Sequence, residues 1–314
     1  MHALRYRKWL ILGGILFVLL LVFHFFSWET DFSFLHDDVL LYSIRLPRTL
    51  AAIFCGALLA LSGLLLQILF SNILAGPSIL GISSGASLGV ALAVLLGIGA
   101  VGISTVAFLG AVGYSMVLLL ISRYVKSTTS LLLAGIMLSS FTSAFIEILS
   151  VYAQETRLKF FTLWGMGSLQ QVGGSALVIF SIVFLVVVAK VLWISRDLTV
   201  YAQGEDFAKN LGVPIFRLRW LIIIITSLAV AVCTAFCGPI AFIGIAIPNL
   251  VRLFFKTTNT ILLAFGSMLF GATFLLLCDG LILALDEKLI LPLNAMTALF
   301  GVPFIIWIIF KQVK

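Results

Sequence analysis

Two carboxylates of this chain, Glu147 and Asp279, stand inside long apolar stretches. An ionised carboxylate in hydrocarbon costs several kcal/mol unless it is paired, so each is a candidate functional group. Glu147 reads as a buried, hydrogen-bonded side chain, and Asp279 as a structural one that caps or pairs near the interface. A second pattern, Gly81-Ile82-Ser83-Ser84-Gly85, has the G-x-S-x-G form of a serine nucleophile, which needs a general base within hydrogen-bond reach. The histidines, His2, His24 and His36, all lie in or before the first loop and none follows the serine. Helix packing by small residues is therefore the better reading, and an intramembrane protease the weaker one. Cys55, Cys233, Cys237 and Cys278 fall in apolar runs without metal-ligand spacing, which predicts packed thiols, no disulfide framework and no metal site. The sequence has no Gly-Lys dipeptide and no H-E-x-x-H, so it cannot cradle ATP with a G-x-x-x-x-G-K-[ST] loop. Any energy-coupling domain is on another chain.

The elements that must carry these groups follow from composition. Of 314 residues, 62% are hydrophobic and 10% charged, with a mean hydropathy of +1.26, whereas a soluble domain is roughly a quarter charged. A spanning helix needs about 20 mostly apolar residues, because lipid cannot satisfy backbone N–H and C=O groups. Apolar runs at 9–26, 49–70, 79–101, 103–122, 130–153, 175–195, 219–237, 238–255, 261–285 and 289–310 predict an all-α, polytopic membrane protein of about ten spans. Residues 1–314 form one transmembrane domain. The division at Gly238-Pro239 requires a tight turn inside one long apolar run. The first run follows a basic start, yet it is long enough to span and has no evident cleavage site, so it reads as a retained helix.

Lysine and arginine in short loops mark the cytoplasmic side. Ten spans collect Arg5, Arg7, Lys8, Arg123, Lys126, Arg196, Lys209, Arg217, Arg219, Arg252, Lys256, Lys311 and Lys314 on the side of both termini. The other side keeps Arg45, Arg48, Arg157, Lys159 and Lys288, among the acidic Glu29, Asp31, Asp37, Asp38, Glu155, Asp286 and Glu287. The net charge of +7 is thus a topology signal and not a nucleic-acid footprint. Lys190, near the inner end of the sixth span, is placed to snorkel.

No connection has the composition of a soluble domain; the longest polar ones are 27–48, 154–174 and 196–218. Gly56, Ala57, Ala60, Ser62 and Gly63, then Gly81, Gly85, Ala86 and Gly89, let helix backbones approach closely in lipid. Between those helices, Phe70 to Pro77 is an uncharged stretch with a helix-breaking Gly-Pro pair, open to two readings: an ordinary turn, or irregular backbone at a cavity or gate. Residues 197–217 differ from every other loop. Asp197 to Pro214 reads as a short amphipathic helix with Glu205 and Asp206 in its first turn and Lys209 in its last. Phe207, Ala208 and Leu211 make its apolar face, and Gly212 and Pro214 end it. It is suited to dock on a partner; the alternative is a helix lying on the lipid surface, against which its acidic first turn argues.

With these segments placed, the sequence closely resembles, over essentially its whole length, the permease family of ABC importers for iron–siderophore complexes, haem and vitamin B12. The resemblance is carried by Arg45-Leu46-Pro47-Arg48 leading into Gly56-Ala57, Ser62-Gly63 and Gln67; by Asn72 to Pro77 with Leu80-Gly81; by Leu131 to Gly135 and Trp164 to Ser168; by Gly204 to Val213; by Gly238-Pro239-Ile240, Phe242-Ile243-Gly244 and Pro248; and by Thr297-Ala298, Gly301 and Pro303. It implies the type II importer architecture, with this chain paired to an identical or similar permease around a central path. It also implies two ATPase subunits, which hold ATP and Mg, docked on the inner face, and a substrate-binding protein on the outer face, with no cofactor bound by this chain. Gly204, Glu205, Phe207, Ala208, Leu211 and Gly212 then match the coupling helix, whose movement drives alternating access. Asn72 and Leu74, with Thr128 and Thr129, match two cytoplasmic gates, although an N-cap is the alternative role for one of the threonines. Arg45 and Arg48 match the arginines that receive acidic residues of the binding protein; interfacial anchoring is their alternative.

Four positions depart from the family pattern: Asn249 where it has His, Leu283 where the vitamin B12 permease has an outward arginine, and Ile290 and Asn294 around Leu291-Pro292. Lys288 is a candidate replacement for the missing arginine. These departures place an iron–siderophore complex first as cargo, haem second and cobalamin third. An ion-coupled carrier is the rival class, and its intramembrane coupling site would have to be Glu147 or Asp279.

Overall fold

A spanning segment must satisfy its own backbone hydrogen bonds, and this chain does so with helices throughout. The computed structural model describes residues 2–26, 41–97, 102–125, 127–170, 172–285 and 291–313. Glu29, Asp31, His36, Asp37, Asp38, Lys126, Asp286, Glu287, Lys288, Ile290 and Lys314 lie outside the described residues, and so does the end of the third expected span.

The helices are α1 His2–Phe26, α2 Leu46–Leu69, α3 Ile82–Leu95, α4 Ile103–Tyr124, α5 Thr128–Val151, α6 Glu155–Gly165, α7 Gly174–Trp193, α8 Ser195–Tyr201, α9 Glu205–Asn210, α10 Ile215–Cys237, α11 Ile243–Phe255, α12 Thr260–Leu285 and α13 Leu293–Val313. A single π-helical turn, Leu41–Arg45, leads into α2. Each of the ten apolar runs has become a helix. Seven are long and apolar enough to cross a membrane alone, and three, Ile82–Leu95, Ile243–Phe255 and Leu293–Trp307, have shorter apolar stretches. The 13 residues of α11 rise only about 20 Å. Irregular backbone completes the depth of such short segments, which is tolerated where protein covers it. One helix was not expected: α6 occupies what the sequence presents as a polar connection.

Helix α2 is the axis of the fold, with 83% of its apolar window buried, against 11% for α1 and 17% for α5. Its packing is glycine-mediated. A Cβ on Gly63 would collide with the main chain of Gly244 in α11, and one on Gly56 with that of Gly271 in α12. The two backbones touch, which in lipid supplies dispersion contact in place of a hydrophobic driving force. Helices α3 and α4 meet in the same way, Gly85 and Gly89 lying against Gly110 and the Val106 carbonyl. Gly238, at φ +74°, makes the turn that separates α10 from α11, and a side chain there would meet the Trp164 carbonyl. Trp9 stacks on Phe254 at 4.1 Å, placing the start of α1 beside the end of α11.

Candidate functional site

The docking segment forms two helices and not one. Gly204 interrupts it at φ +131°, a conformation reserved for glycine, and Gly212 ends it at φ +81°. The reason is local: its N–H bonds back to the Tyr201 carbonyl to close α8, while its own carbonyl accepts from Ala208 N–H to open α9. The expected apolar face is divided accordingly. Ala208 is fully buried, whereas Phe207 and Leu211 are 51% and 60% exposed. Lys209 lies 2.9 Å from Glu205 and 3.6 Å from Asp206. The Glu205 hydrogen bond and charge raise the Lys209 pKa above its ordinary value. Arg219, in the first turns of α10, faces Glu205 at 3.9 Å through Nη2 and donates from Nη1 to the Val125 carbonyl at 3.3 Å. The Tyr201 hydroxyl donates to the Leu69 carbonyl at 3.2 Å. Burial, and then the Glu205 charge, push the Tyr201 phenol pKa up, so the hydroxyl remains a donor.

The two expected gate segments lie on the same face. Asn72 folds into an Asx turn, its Oδ1 accepting from Leu74 N–H at 2.9 Å, and this turn leaves Leu74 43% exposed. The loop is held from α11, where Asn249 Nδ2 donates to the Ile73 and Ile245 carbonyls, both at 2.8 Å. This accounts for the asparagine, since a primary amide offers two hydrogens from one nitrogen. Gln67 joins the same anchorage, accepting from Arg252 Nη1 at 2.6 Å and donating to the Ile245 carbonyl at 3.2 Å. At the second segment the N-cap is Ser127, whose hydroxyl accepts from Ser130 N–H. Thr128 and Thr129 are the first two residues of α5 and neither is its cap; Thr129 is exposed.

The opposite face corrects the reading of the arginines. Arg45 and Arg48 are not at the surface; they are 1% and 4% exposed. Arg48 donates from Nε to Asp279 Oδ2 and from Nη2 to Oδ1, each at 2.8 Å. His24 Nε2 is 2.8 Å from the same Oδ2, and its Nδ1 is 3.1 Å from Thr49 Oγ1, which donates to the Arg45 carbonyl. Asp279 thus pairs, as its position suggested, and in burial that an ionised carboxylate tolerates only with such partners. The ion pair forms part of the wall of a cavity of about 320 Å³ between α6 and the outer ends of α10, α12 and α13. Asn294 stands nearby and joins three elements, accepting from Ala241 N–H and donating its own N–H to the Met166 carbonyl, both at 3.1 Å. His24 was missed in the sequence. The signal was there, since His24 and Asp279 are polar residues near the same end of two apolar runs.

Glu147 is not buried but exposed on α5, beside the exposed Ile148 and one turn from the exposed Ser143. The G-x-S-x-G serines bond to hydroxyls, Ser83 to Thr234 at 3.4 Å and Ser84 to Ser139 at 2.7 Å, while His24 is committed to Asp279. All four cysteines are buried free thiols. Lys190 Nζ lies 5.0 Å over the Trp193 ring. Among the described residues no three His, Cys, Asp or Glu side chains converge as a metal would require.

Ten apolar helices packed around a buried α2, with paired surface helices and two main-chain-anchored loops on one face, define a multi-pass membrane permease. Residues 10–311 match the model of the FecCD transport family, and the chain belongs to that family. It is 36% identical to a vitamin B12 import system permease protein BtuC of Escherichia coli O17:K52:H18 over 320 aligned positions, covering 97% of this chain and 95% of that one. The BtuC of Salmonella typhi is likewise 36% identical, over 90% of this chain and 87% of its own. Among solved structures, an inward-facing metal-chelate type ABC transporter superposes with a TM-score of 0.85 at 32% identity, covering 96% of this chain and 99% of that one. PsaBC from Streptococcus pneumoniae shares the fold at a TM-score of 0.60 and 18% identity, covering 89% and 96%.

Proposed function

We propose that this chain forms the membrane path of an ATP-driven importer whose cargo is a cobalamin-type metal chelate. The full-length similarity to vitamin B12 permeases carries the choice of cargo, and it favours cobalamin over the iron–siderophore complex that the sequence departures suggested. Two separate ATPase subunits, holding ATP and Mg, dock on α9, where Phe207 and Leu211 offer exposed apolar side chains beside acidic Asp206. Arg123, Arg196, Lys209, Arg217, Arg219, Arg252 and Lys256 belong to the segments near this face, which supports a cytoplasmic orientation for it. A substrate-binding protein engages the opposite face.

A second permease chain, identical in the simplest assembly, completes the path against α5. The supporting observation is Glu147. Glu147 is exposed four residues before the end of α5, and a carboxylate on the lipid side of an apolar helix is costly, so this face of α5 meets protein or a water-filled path. Lipid covers the outer helices, α1 foremost. Asn72, Leu74, Thr128 and Thr129 close the path at its cytoplasmic end. Arg48 shapes the outer face from within, through Asp279, and neither it nor the buried Arg45 meets the binding protein as a surface charge.

Uptake by a strain lacking its own importers, supplied with this chain and its partners, tests the cargo. Labelled cobalamin should accumulate in an ATP-dependent manner, and labelled haem and ferric siderophore should not. Accumulation of the siderophore alone would reverse the assignment.

A further inference from the structure

Helix α8 and the turn that opens α12 enclose a second cavity, of about 460 Å³, lined mainly by Ser195, Arg196 and Thr199 on one side and Thr257, Thr258, Asn259 and Ile261 on the other. Several of its polar groups are already committed. Ser195 and Thr199 donate their hydroxyl protons to the Leu192 and Ser195 carbonyls. Asn259 Oδ1 accepts from the N–H groups of Ile261 and Leu262 at 3.0 and 3.2 Å, so the first turn of α12 is capped by the chain itself. Thr257 Oγ1 accepts from Asn259 N–H at 3.2 Å, which leaves its own proton to donate. What remains is a set of donors: the Thr257 and Thr258 hydroxyls and the exposed Arg196 guanidinium, which has no carboxylate partner among the described residues. No carboxylate lines the cavity, and the exposed Lys256 directly precedes Thr257. Such a group of donors, positively charged and without an acid, complements a phosphate.

The cavity lies at the level of lipid headgroups. Trp193, just before α8, is exposed at the end of the exposed apolar stripe Val178, Ile182 and Leu185 on α7, with Lys190 Nζ 5.0 Å and Arg217 Cζ 5.7 Å over its ring. An exposed tryptophan flanked by cations at the end of an apolar helix marks the membrane interface. From the cavity rim an apolar track leads back into the membrane, because Ile261 lines the cavity and is exposed, and Phe265, one turn further along α12, is exposed as well. A free anion engages the donors alone, whereas a phospholipid engages both the donors and the track. We propose that this cavity seats an anionic phospholipid of the adjoining leaflet, its phosphate held by Arg196, Thr257 and Thr258 and an acyl chain laid along Ile261 and Phe265. The headgroup joins α8 to α12, so the bound lipid stabilises the folded chain by mass action. The seat is independent of the cargo and of the ATPase.

The test uses the full-length permease in nanodiscs that mix phosphatidylglycerol with phosphatidylcholine, and counts the lipids retained on release by native mass spectrometry. The unaltered chain should keep one phosphatidylglycerol beyond the loosely held remainder, and phosphatidylglycerol, unlike phosphatidylcholine, should raise its unfolding midpoint. Arg196→Gln should weaken retention about fivefold and remove the rise in midpoint, while the lipid-free midpoint of this exposed variant stays unchanged. Thr258→Val should weaken retention in the same direction without altering net charge. Arg123→Gln removes an exposed cation from the end of α4, away from the cavity, and should leave retention as it was. Equal losses from Arg196→Gln and Arg123→Gln, or none from either, would reduce the effect to diffuse attraction of anionic lipid and overturn the proposal. Inorganic phosphate that displaces the retained lipid, or that raises the midpoint by itself, would make this a site for a free anion and overturn the lipid assignment.

Discussion

Arg48 and Asp279 meet through two parallel hydrogen bonds of 2.8 Å, 231 residues apart in sequence and buried between α2 and α12. Paired in this way, Arg48 has no free charge to offer a partner. Removing one member leaves the other as an uncompensated buried ion, a loss of about 3–5 kcal/mol, whereas replacing both by apolar residues of similar volume is nearly neutral. Asp279→Leu should therefore lower the unfolding midpoint of the detergent-solubilised protein sharply. Arg48→Met combined with Asp279→Leu should recover most of the loss. Equal destabilisation by the single and double variants would contradict the pairing.

Gly63 meets Gly244 backbone to backbone, with no room for a methyl group. Gly63→Ala should force α2 and α11 apart and cost at least about 2 kcal/mol, the scale of an overpacked interior. Gly14, which has nothing within 4 Å of a Cβ position, is the control, and Gly14→Ala should leave the unfolding midpoint unchanged or raised. Comparable yields and midpoints for the two variants would show that the close approach is not needed.

The contrast between these glycines shows what the sequence could and could not convey. The ten helices were legible because the backbone of a span has no partner but itself, so runs of apolar residues translate directly into elements. The small residues of α2 announced close packing, but nothing in the order of residues says that Gly63 faces Gly244 and Gly56 faces Gly271. The docking segment was recognisable from Gly204, Gly212 and its charge pattern. Its division into α8 and α9 was not, because the amphipathic pattern runs on through Gly204 and only its backbone angle breaks the helix. Arg45 and Arg48, placed at the mouth of a span, looked like surface charges. The burial of Arg48 depends on α12 and α1, which supply Asp279 and its second partner His24 from far along the chain.

Asn249 Nδ2 holds two carbonyls, Ile73 in the loop and Ile245 in its own helix. Asn249→Leu keeps the volume and removes both bonds, leaving the Ile73 carbonyl without this donor at about 1–3 kcal/mol. Because the loop is short and local, the effect should appear as faster labelling of Ser71→Cys by a maleimide, with a smaller change in global unfolding. An unchanged labelling rate would mean that the loop is fixed by Gln67 and Tyr201 alone.

Phe207 and Leu211 are the large apolar side chains that α9 and its C-cap expose, while Ala208 between them is buried and holds the helix down. Exposed apolar anchors at a protein interface commonly contribute more than 1 kcal/mol each, and loss of about 1.4 kcal/mol weakens binding about tenfold. Phe207→Ala and Leu211→Ala should each reduce recovery of the ATPase on affinity purification of the permease, and the double variant should abolish it. Since neither side chain supports the interior, the unfolding midpoint of the permease alone should not move. Ala208→Leu should behave in the opposite manner: the larger side chain has no space beneath α9, so stability falls first and ATPase binding is lost only because the helix has been lifted. If Phe207→Ala and Leu211→Ala leave ATPase recovery untouched, α9 lies against lipid and the motor docks elsewhere.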